Sequence, residues 1–347
     1  MKRVKIAMIK MSGGYGGVSR YADNLYKRLS HHESLEIKAI DVKQLPAIGA
    51  LSVTLKSPLF NLRNYQVVHN VCAYPLFPLL KDKAKLITTA YEFQALLYPE
   101  ISISCNRTLK DRMWTRLVEI PSQKQMLSGC IFADSKQTEK EALRLGVDKK
   151  KVFYTPLSLE EKFITTEEKP EKTNKKFRVG YIGAIGPRKN VRFIINAIKK
   201  LPDKDIELEL WGKSIYSKEE LLGFIGGDIR IKLKGNVSES KIIEVYDSFD
   251  VFVYPSLYEG FGFPILEAQA RGKPVIIYEK GHISEEVKKY CIKVNDEAEL
   301  AQEIDKLKTE GYDQRISKKA EQYAKSFTWY KSIDTIVNAY VKLASES

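Results

Sequence analysis

Cysteine is scarce. The four in 347 residues, Cys72, Cys105, Cys130 and Cys291, lie far apart and none forms a C-x-x-C pair. That spacing argues against structural zinc and against a disulfide framework. Long hydrophobic runs are missing too: none approaches the roughly 20 residues that span a bilayer. The opening MKRVKIAMIK interrupts its apolar residues with lysines. It reads as a first strand and not as a secretory leader, so cytoplasmic residence is the expectation. No clustered carboxylate site for a metal is visible. Asp203-Lys204-Asp205 spells D-x-D, but it precedes an apolar β-run instead of following one and reads as a turn. Acidic excess is absent: the net charge is +13. Residues 1–158 hold 25 Lys/Arg against 13 Asp/Glu, and 159–347 hold 32 against 31. An asymmetry of this kind points to an anionic partner for the first half. It also raises a nucleic-acid binder as an alternative. No stacking-aromatic or helix-turn-helix pattern supports that alternative.

What is present suits a globular chain of about two domains, with 44% hydrophobic residues. Its organising stretch is 250–275, DVFVYPSLYEGFGFPILEAQARGKPV. Val251 to Tyr254 are apolar and β-rich and end at Pro255. A loop with two glycines follows, and Pro264 opens a helix, its fixed φ and missing N–H suiting the first helical position. Gly272 and Pro274 close that helix, and a second β-run begins at Val275. This is a strand–loop–helix–strand unit of a parallel sheet. Open α/β sheets bind ligands at the carboxyl ends of their strands, where a helix N-terminus suits a phosphate. Glu259 on the loop and Glu267, expected on the first helical turn, add carboxylates that accept hydrogen bonds from hydroxyls. A sugar nucleotide combines both demands. A nucleotide-free α/β unit with solvated glutamates remains open on spacing alone.

Other segments extend the pattern. Strands are predicted at 3–9, 35–41, 65–69, 85–89, 129–133, 177–182, 206–211 and 229–233. Four glycines, Gly13, Gly14, Gly16 and Gly17, separate the first strand from a helix predicted over 18–30. They permit close backbone approach to a ligand. A second strand-to-helix loop carries Arg188-Lys189, adjacent cations able to clamp a diphosphate and stabilise it as a leaving group. His69, at a strand's carboxyl end, is read either as lining an acceptor pocket or as a structural histidine. Residues 74–80 are read as part of a lipid-facing groove or as buried packing. Residues 106–126 are predicted to form a basic amphipathic helix, and Ser135 to cap the helix that follows it. The charged stretch 160–176 is expected to be a linker, and 327–345 a terminal amphipathic helix.

The run E-G-F-G-F-P-x-L-E-A-x-A-x-G-x-P-V (259–275) strongly resembles the Glu-x7-Glu signature of glycosyltransferase family 4. The resemblance extends over most of the chain. It implies a GT-B fold, α/β, with two doubly wound Rossmann-like domains facing across a cleft. An acceptor-binding domain over 1–158 would be joined through the linker 159–176 to a nucleotide-sugar-binding domain over 177–326. The helix of 327–347 would return to the first domain. The implied activity is retaining transfer of a hexosyl unit from a UDP- or GDP-linked sugar to a glycan acceptor; the basic excess of residues 1–158 adds the expectation that this half meets an anionic membrane surface and that the acceptor is lipid-linked. No metal and no cofactor are expected. Glu259 would contact donor-sugar hydroxyls and Glu267 the ribose. The amides near Gly262 and Phe263 would face the sugar and diphosphate. Gly16 and Gly17 would lie under the diphosphate, and Gly235 would edge the base pocket.

The chain departs from the family pattern in three places. Ala184 replaces an arginine, Pro156-Leu157-Ser158 replaces Pro-Asn-Gly, and Tyr91 replaces a histidine beside the donor sugar. Two readings of Tyr91 follow. It orients the sugar in a working enzyme, or it marks a catalytically silent partner subunit. A sugar-nucleotide epimerase lacks the Glu-x7-Glu pattern, and a phosphorylase needs a pyridoxal-binding lysine not identifiable here.

Overall fold

The structure is a computed structural model. It describes residues 3–12, 17–43, 56, 60–74, 85–105, 108–165 and 176–346. The chain divides into two compact units, residues 1–158 with 328–347, and residues 159–327.

Unit 1 contains six parallel strands: β1 (Val4–Ser12), β2 (Leu35–Lys43), β3 (Val67–Asn70), β4 (Lys85–Ala90), β5 (Cys130–Ala133) and β6 (Val152–Tyr154). They lie in the order β2-β1-β3-β4-β5-β6. All four residues of β3 are buried, as expected of a parallel strand covered on both faces. The helix Gly17–Leu29 buries Tyr21, Leu25 and Leu29. The terminal helix Trp329–Ser345 buries Ile336, Tyr340 and Leu343 in this unit. Ser332 Oγ ties that helix to the Pro156 carbonyl at 2.5 Å.

Unit 2 repeats the plan with β7 (Phe177–Ile182), β8 (Ile206–Trp211), β9 (Ile231–Gly235), β10 (Val251–Tyr254), β11 (Val275–Tyr278) and β12 (Ile292–Val294). The order β12-β11-β10-β7-β8-β9 is the doubly wound 3-2-1-4-5-6 arrangement, reversing direction between β7 and β10. The expected doubly wound α/β fold is therefore present in both units.

Local differences have local causes. The stretch 106–126 is not one α-helix. Thr108 and Asp111 form a capping box, and Leu109–Trp114 is α-helical. Thr115–Glu119 then widens into a π-turn before Ile120–Ser128 resumes. In the segment expected to be linker, Glu161–Thr165 forms a helix because Phe163 finds a buried place in unit 2, edge-on to Tyr246 at 5.8 Å. Burying such a ring stabilises by about 2–3 kcal/mol. Ser135 does cap its helix, accepting from the Thr138 amide. The polar Asp203-Lys204-Asp205 is a turn, its Asp203 Oδ1 accepting from the Asp205 amide at 2.7 Å. Residues 75–80 of the suggested groove, Gly16, and residues 166–175 lie outside the described residues.

Candidate functional site

The reversal point of unit 2 brings together two loops, one after β7 and one after β10. Backbone contacts knit them: Leu257 N donates to the Arg188 carbonyl at 2.9 Å, and Ser256 Oγ does so at 3.3 Å. Arg188 Nη1 returns a bond to the Tyr258 carbonyl at 2.9 Å. Glu259 N is held by the His282 carbonyl at 2.8 Å. With both loops fixed, Lys189 Nζ donates directly to Glu259 Oε1 and to the Tyr254 hydroxyl at 2.8 Å. Arg188 Nη1 stands 3.9 Å from Glu259 Oε2. Sequence reasoning gave the two cations to a diphosphate and Glu259 to a sugar. The structure brings all three together and pairs them with one another.

Two cations and one carboxylate leave this cluster with one net positive charge at the carboxyl ends of the strands. Burial pushes the Glu259 carboxyl up, but Lys189 and Arg188 outweigh it and hold the carboxyl below the ordinary glutamate range. Glu259 is therefore an anion at neutral pH, able to accept hydrogen bonds and not to donate one. Burial, reinforced by the Glu259 charge, raises the Tyr254 hydroxyl well above its usual value, so Tyr254 stays protonated.

The helix Phe263–Ala270 starts at Gly262, whose φ of 106° lies in the left-handed region that favours glycine. Because the helix begins at Phe263, Glu267 is its fifth residue and sits past the first turn, where the sequence reading had placed it. Helical side chains lean toward the N-terminus, which still directs Glu267 back toward that end. Glu267 is buried, and its Oε2 accepts from the Tyr246 hydroxyl at 2.7 Å. One turn on, buried Arg271 forms a bidentate pair with Asp247, 2.8 Å for each bond. Neighbours Tyr246 and Asp247 thus fasten two positions four residues apart on the Phe263–Ala270 helix and its end. Lys273 Nζ adds bonds to the carbonyls of Asp247 and Phe249 at 2.6 and 2.8 Å. Sequence reasoning missed Tyr246, Tyr254, Asp247 and Arg271. A cation at a helix's end reads as solvated, and nothing local shows a partner some twenty residues away.

Gly235 ends β9 with a φ of 72°, its carbonyl accepting from Gly212 N at 2.7 Å. Gly17 begins the first helix of unit 1. His69 and Tyr91 belong to unit 1. His69 is fully buried; its Nδ1 is 2.6 Å from the Tyr340 hydroxyl and its Nε2 2.8 Å from Thr89 Oγ1. Burial lowers its pKa to about 3. It occupies the position of a core histidine, the second of its two readings. Tyr91 donates its hydroxyl proton to the Val71 carbonyl at 2.9 Å, with Tyr21 edge-on at 6.1 Å. Burial raises its hydroxyl well above the usual tyrosine value. Tyr21 Oη and Asn70 Oδ1 are buried with no hydrogen-bond partner among the described residues.

Comparison with known proteins places this architecture. Two doubly wound units of this kind define the GT-B class. Sucrose-phosphate synthase of Thermosynechococcus elongatus aligns with 99% of the chain at a TM-score of 0.75 and 18% identity, over that protein's whole length. Anabaena HepE, solved in complex with UDP-glucose, aligns with 98% at 0.69 and 16% identity, again over its whole length. The chain belongs to the family described as glycosyl transferases group 1, whose model matches residues 162–344. An Escherichia coli O-antigen chain mannosyltransferase B is 31% identical over 169 residues, 46% of this chain and 44% of that protein. A D-inositol 3-phosphate glycosyltransferase of Stackebrandtia nassauensis is 34% identical over 105 residues, 29% and 24% of the two chains. The match spans less than half the length of these curated relatives.

Proposed function

We propose that the protein is a retaining glycosyltransferase that moves a hexosyl unit from a UDP- or GDP-linked sugar to a lipid-linked glycan acceptor, without a metal. The observation that carries the reading is the convergence of Arg188 and Lys189 on Glu259 at the reversal point of unit 2. Arg188 and Lys189 face the diphosphate and stabilise the charge it gains as the glycosidic bond breaks. Glu259 accepts hydrogen bonds from the donor sugar, and Glu267 from the ribose. The amides at Gly262 and Phe263 meet the sugar and diphosphate, and Gly235 edges the base. Anabaena HepE, with its UDP-glucose, supports a nucleotide-sugar as donor. His69 is left out of the acceptor site because both its ring nitrogens are engaged internally.

The test is nucleotide release across a panel of UDP- and GDP-sugars, with and without EDTA. Release from one donor, with the anomeric configuration kept and EDTA without effect, is the expected result. Loss of activity under EDTA, restored by Mn²⁺ or Mg²⁺, overturns the metal-free mechanism. The second reading, a silent partner subunit, draws on one observation: the Tyr91 proton is committed to the Val71 carbonyl. Donor binding with neither transfer nor slow hydrolysis, with or without partner and acceptor, would establish it.

A further inference from the structure

The helical stretch from Leu109 to Ser128 in unit 1 presents an uncovered apolar stripe. Leu109, Met113 and Leu117 recur every fourth residue and are 74%, 51% and 64% exposed. Side chains three and four apart share one helix face, so exposed Arg112 and Arg116 stand beside them. Exposed Lys124 continues the basic character one segment further. The two acids of the stretch are held locally: Asp111 accepts from the Thr108 amide and hydroxyl at 2.9 and 2.8 Å. Glu119 accepts from the Thr115 hydroxyl at 2.8 Å.

A cavity of about 440 Å³ adjoins this stretch, within the ~300–1,000 Å³ typical of ligand pockets. Ala95, Pro99 and Ile120 give it apolar walls, with Thr115 from the π-turn. Arg112 and Arg116 also line it, so the same two guanidiniums border both the stripe and the cavity. Their aliphatic stems add apolar wall while their heads stay available to an anion.

We propose that this face docks on an anionic lipid surface. Leu109, Met113 and Leu117 enter the boundary between headgroups and acyl chains, Arg112 and Arg116 meet lipid phosphates, and the cavity receives one apolar chain of such a lipid. Amphipathic helices with apolar and Lys/Arg-rich faces bind interfaces in this way. Charge decides among the occupants. A second copy paired isologously would set the same basic face against itself. An anionic bilayer complements it, and the first 158 residues carry 25 Lys/Arg against 13 Asp/Glu. The lipid-linked acceptor proposed above gives the docking a purpose; the docking itself is argued from this surface alone.

The experiment is flotation of the full chain with vesicles of phosphatidylcholine, alone or mixed with phosphatidylglycerol. The chain should float with the mixed vesicles, less so at high salt, and not with phosphatidylcholine alone. Arg112→Gln with Arg116→Gln should weaken partitioning about thirtyfold, taking roughly a fivefold contribution from each cation. Leu109→Ser, Met113→Ser and Leu117→Ser together should weaken it at least about tenfold and leave the melting temperature unchanged, since these side chains are exposed. No binding to mixed vesicles, or equal binding by either variant, overturns the proposal. So does a parent that sediments as a dimer and becomes monomeric in the triple-Ser variant, for then a second copy covers the face. A parent that floats yet releases nucleotide from no donor supports the docking and sinks the transfer reading, which separates the two failures.

Discussion

The two units use the same layers and six parallel strands, yet they set different side chains where their middle strands end. Unit 2 gathers charge: Lys189, Arg188 and Glu259 meet where β7 and β10 diverge. Unit 1 sets neutral groups at the middle of its sheet, His69 with Thr89 and Tyr340 and Tyr91 against Val71, and pairs its Lys10 with Asp23 and Asp41 toward β1 and β2. The charged groups are bound to each other, so each offsets the burial of another. In unit 1 both ring nitrogens of His69 are engaged within the fold. The comparison teaches that two sheets of the same strand count differ in what their edges can bind because the side chains at those edges differ.

The sharpest way to break the comparison is Lys189→Met. Removing one partner of a buried pair strands the other; such losses cost about 3–5 kcal/mol. Turnover should fall about 10²–10³-fold as leaving-group stabilisation is lost. The acid limb should move as well. In the parent, the depressed Glu259 pKa contributes stability above the ordinary glutamate value of 4.5, lost as pH falls through the lowered pKa. Without Lys189, burial raises the carboxyl, so that acid loss shrinks, and a carboxyl raised above 4.5 gains stability as pH falls. Urea melts across pH 3–7 and initial rates check this. A variant with the parent's melts and rates would show that the pair is incidental.

Much of this was legible in the sequence because the signals are local. The β-runs of 206–211 and 251–254, the Pro264 helix start and the Ser135 cap each follow from a few adjacent residues. Glu259, Lys189 and Arg188 were legible as site residues for the same reason: each sits on a loop between a predicted strand and helix. What was not legible is pairing at a distance. Arg271 reads as a surface cation until Asp247 is seen beside it, and nothing in Glu-Lys-Phe-Ile-Thr of 161–165 announces that Tyr246 receives Phe163. Glu267 was placed one position too early because the pattern does not show that the helix begins at Phe263, before Pro264. The π-turn at Thr115–Glu119 has no distinctive residue to reveal it.

Glu267→Gln sharpens the comparison within unit 2. Glutamine retains a carbonyl oxygen for the Tyr246 proton but loses the charge and one acceptor. A hydrogen bond to a charged group is worth about 1.5–3 kcal/mol, so donor affinity should drop roughly ten- to a hundredfold while urea stability changes little. Titration calorimetry with the preferred nucleotide-sugar reads it. Unchanged affinity would remove Glu267 from the ribose.

In unit 1 the corresponding test is acid stability at His69. Its pKa is lowered by burial from 6.5 to about 3, so below pH 6.5 the unfolded chain takes up a proton that the folded chain refuses. Stability should fall with pH by about 1.4 kcal/mol per unit within that window. His69→Gln should flatten that slope relative to the parent, whatever its own stability at neutral pH. An equal slope in both proteins would mean that His69 does not stay neutral in the fold.

The smallest expected effect belongs to Tyr91→Phe. The substitution removes one neutral hydrogen bond, to the Val71 carbonyl, worth about 0.5–1.5 kcal/mol of stability. Burial holds the hydroxyl well above the usual tyrosine range, so Tyr91 cannot act as a base at neutral pH, and any catalytic effect must come through its lone pairs. A tyrosine that gives its proton to the backbone can still accept a hydrogen bond from a sugar hydroxyl. If it orients the sugar, Tyr91→Phe lowers kcat with nucleotide affinity near normal, and the loss exceeds anything explained by unfolded protein. If Tyr91 only braces Val71, melting temperature falls while turnover per folded molecule is unchanged. Measuring kcat, nucleotide affinity and folded fraction on one preparation separates the two. A parent-like kcat would assign Tyr91 to the fold, and unit 1 would then place both of the side chains its sequence offered for chemistry, His69 and Tyr91, in structural service.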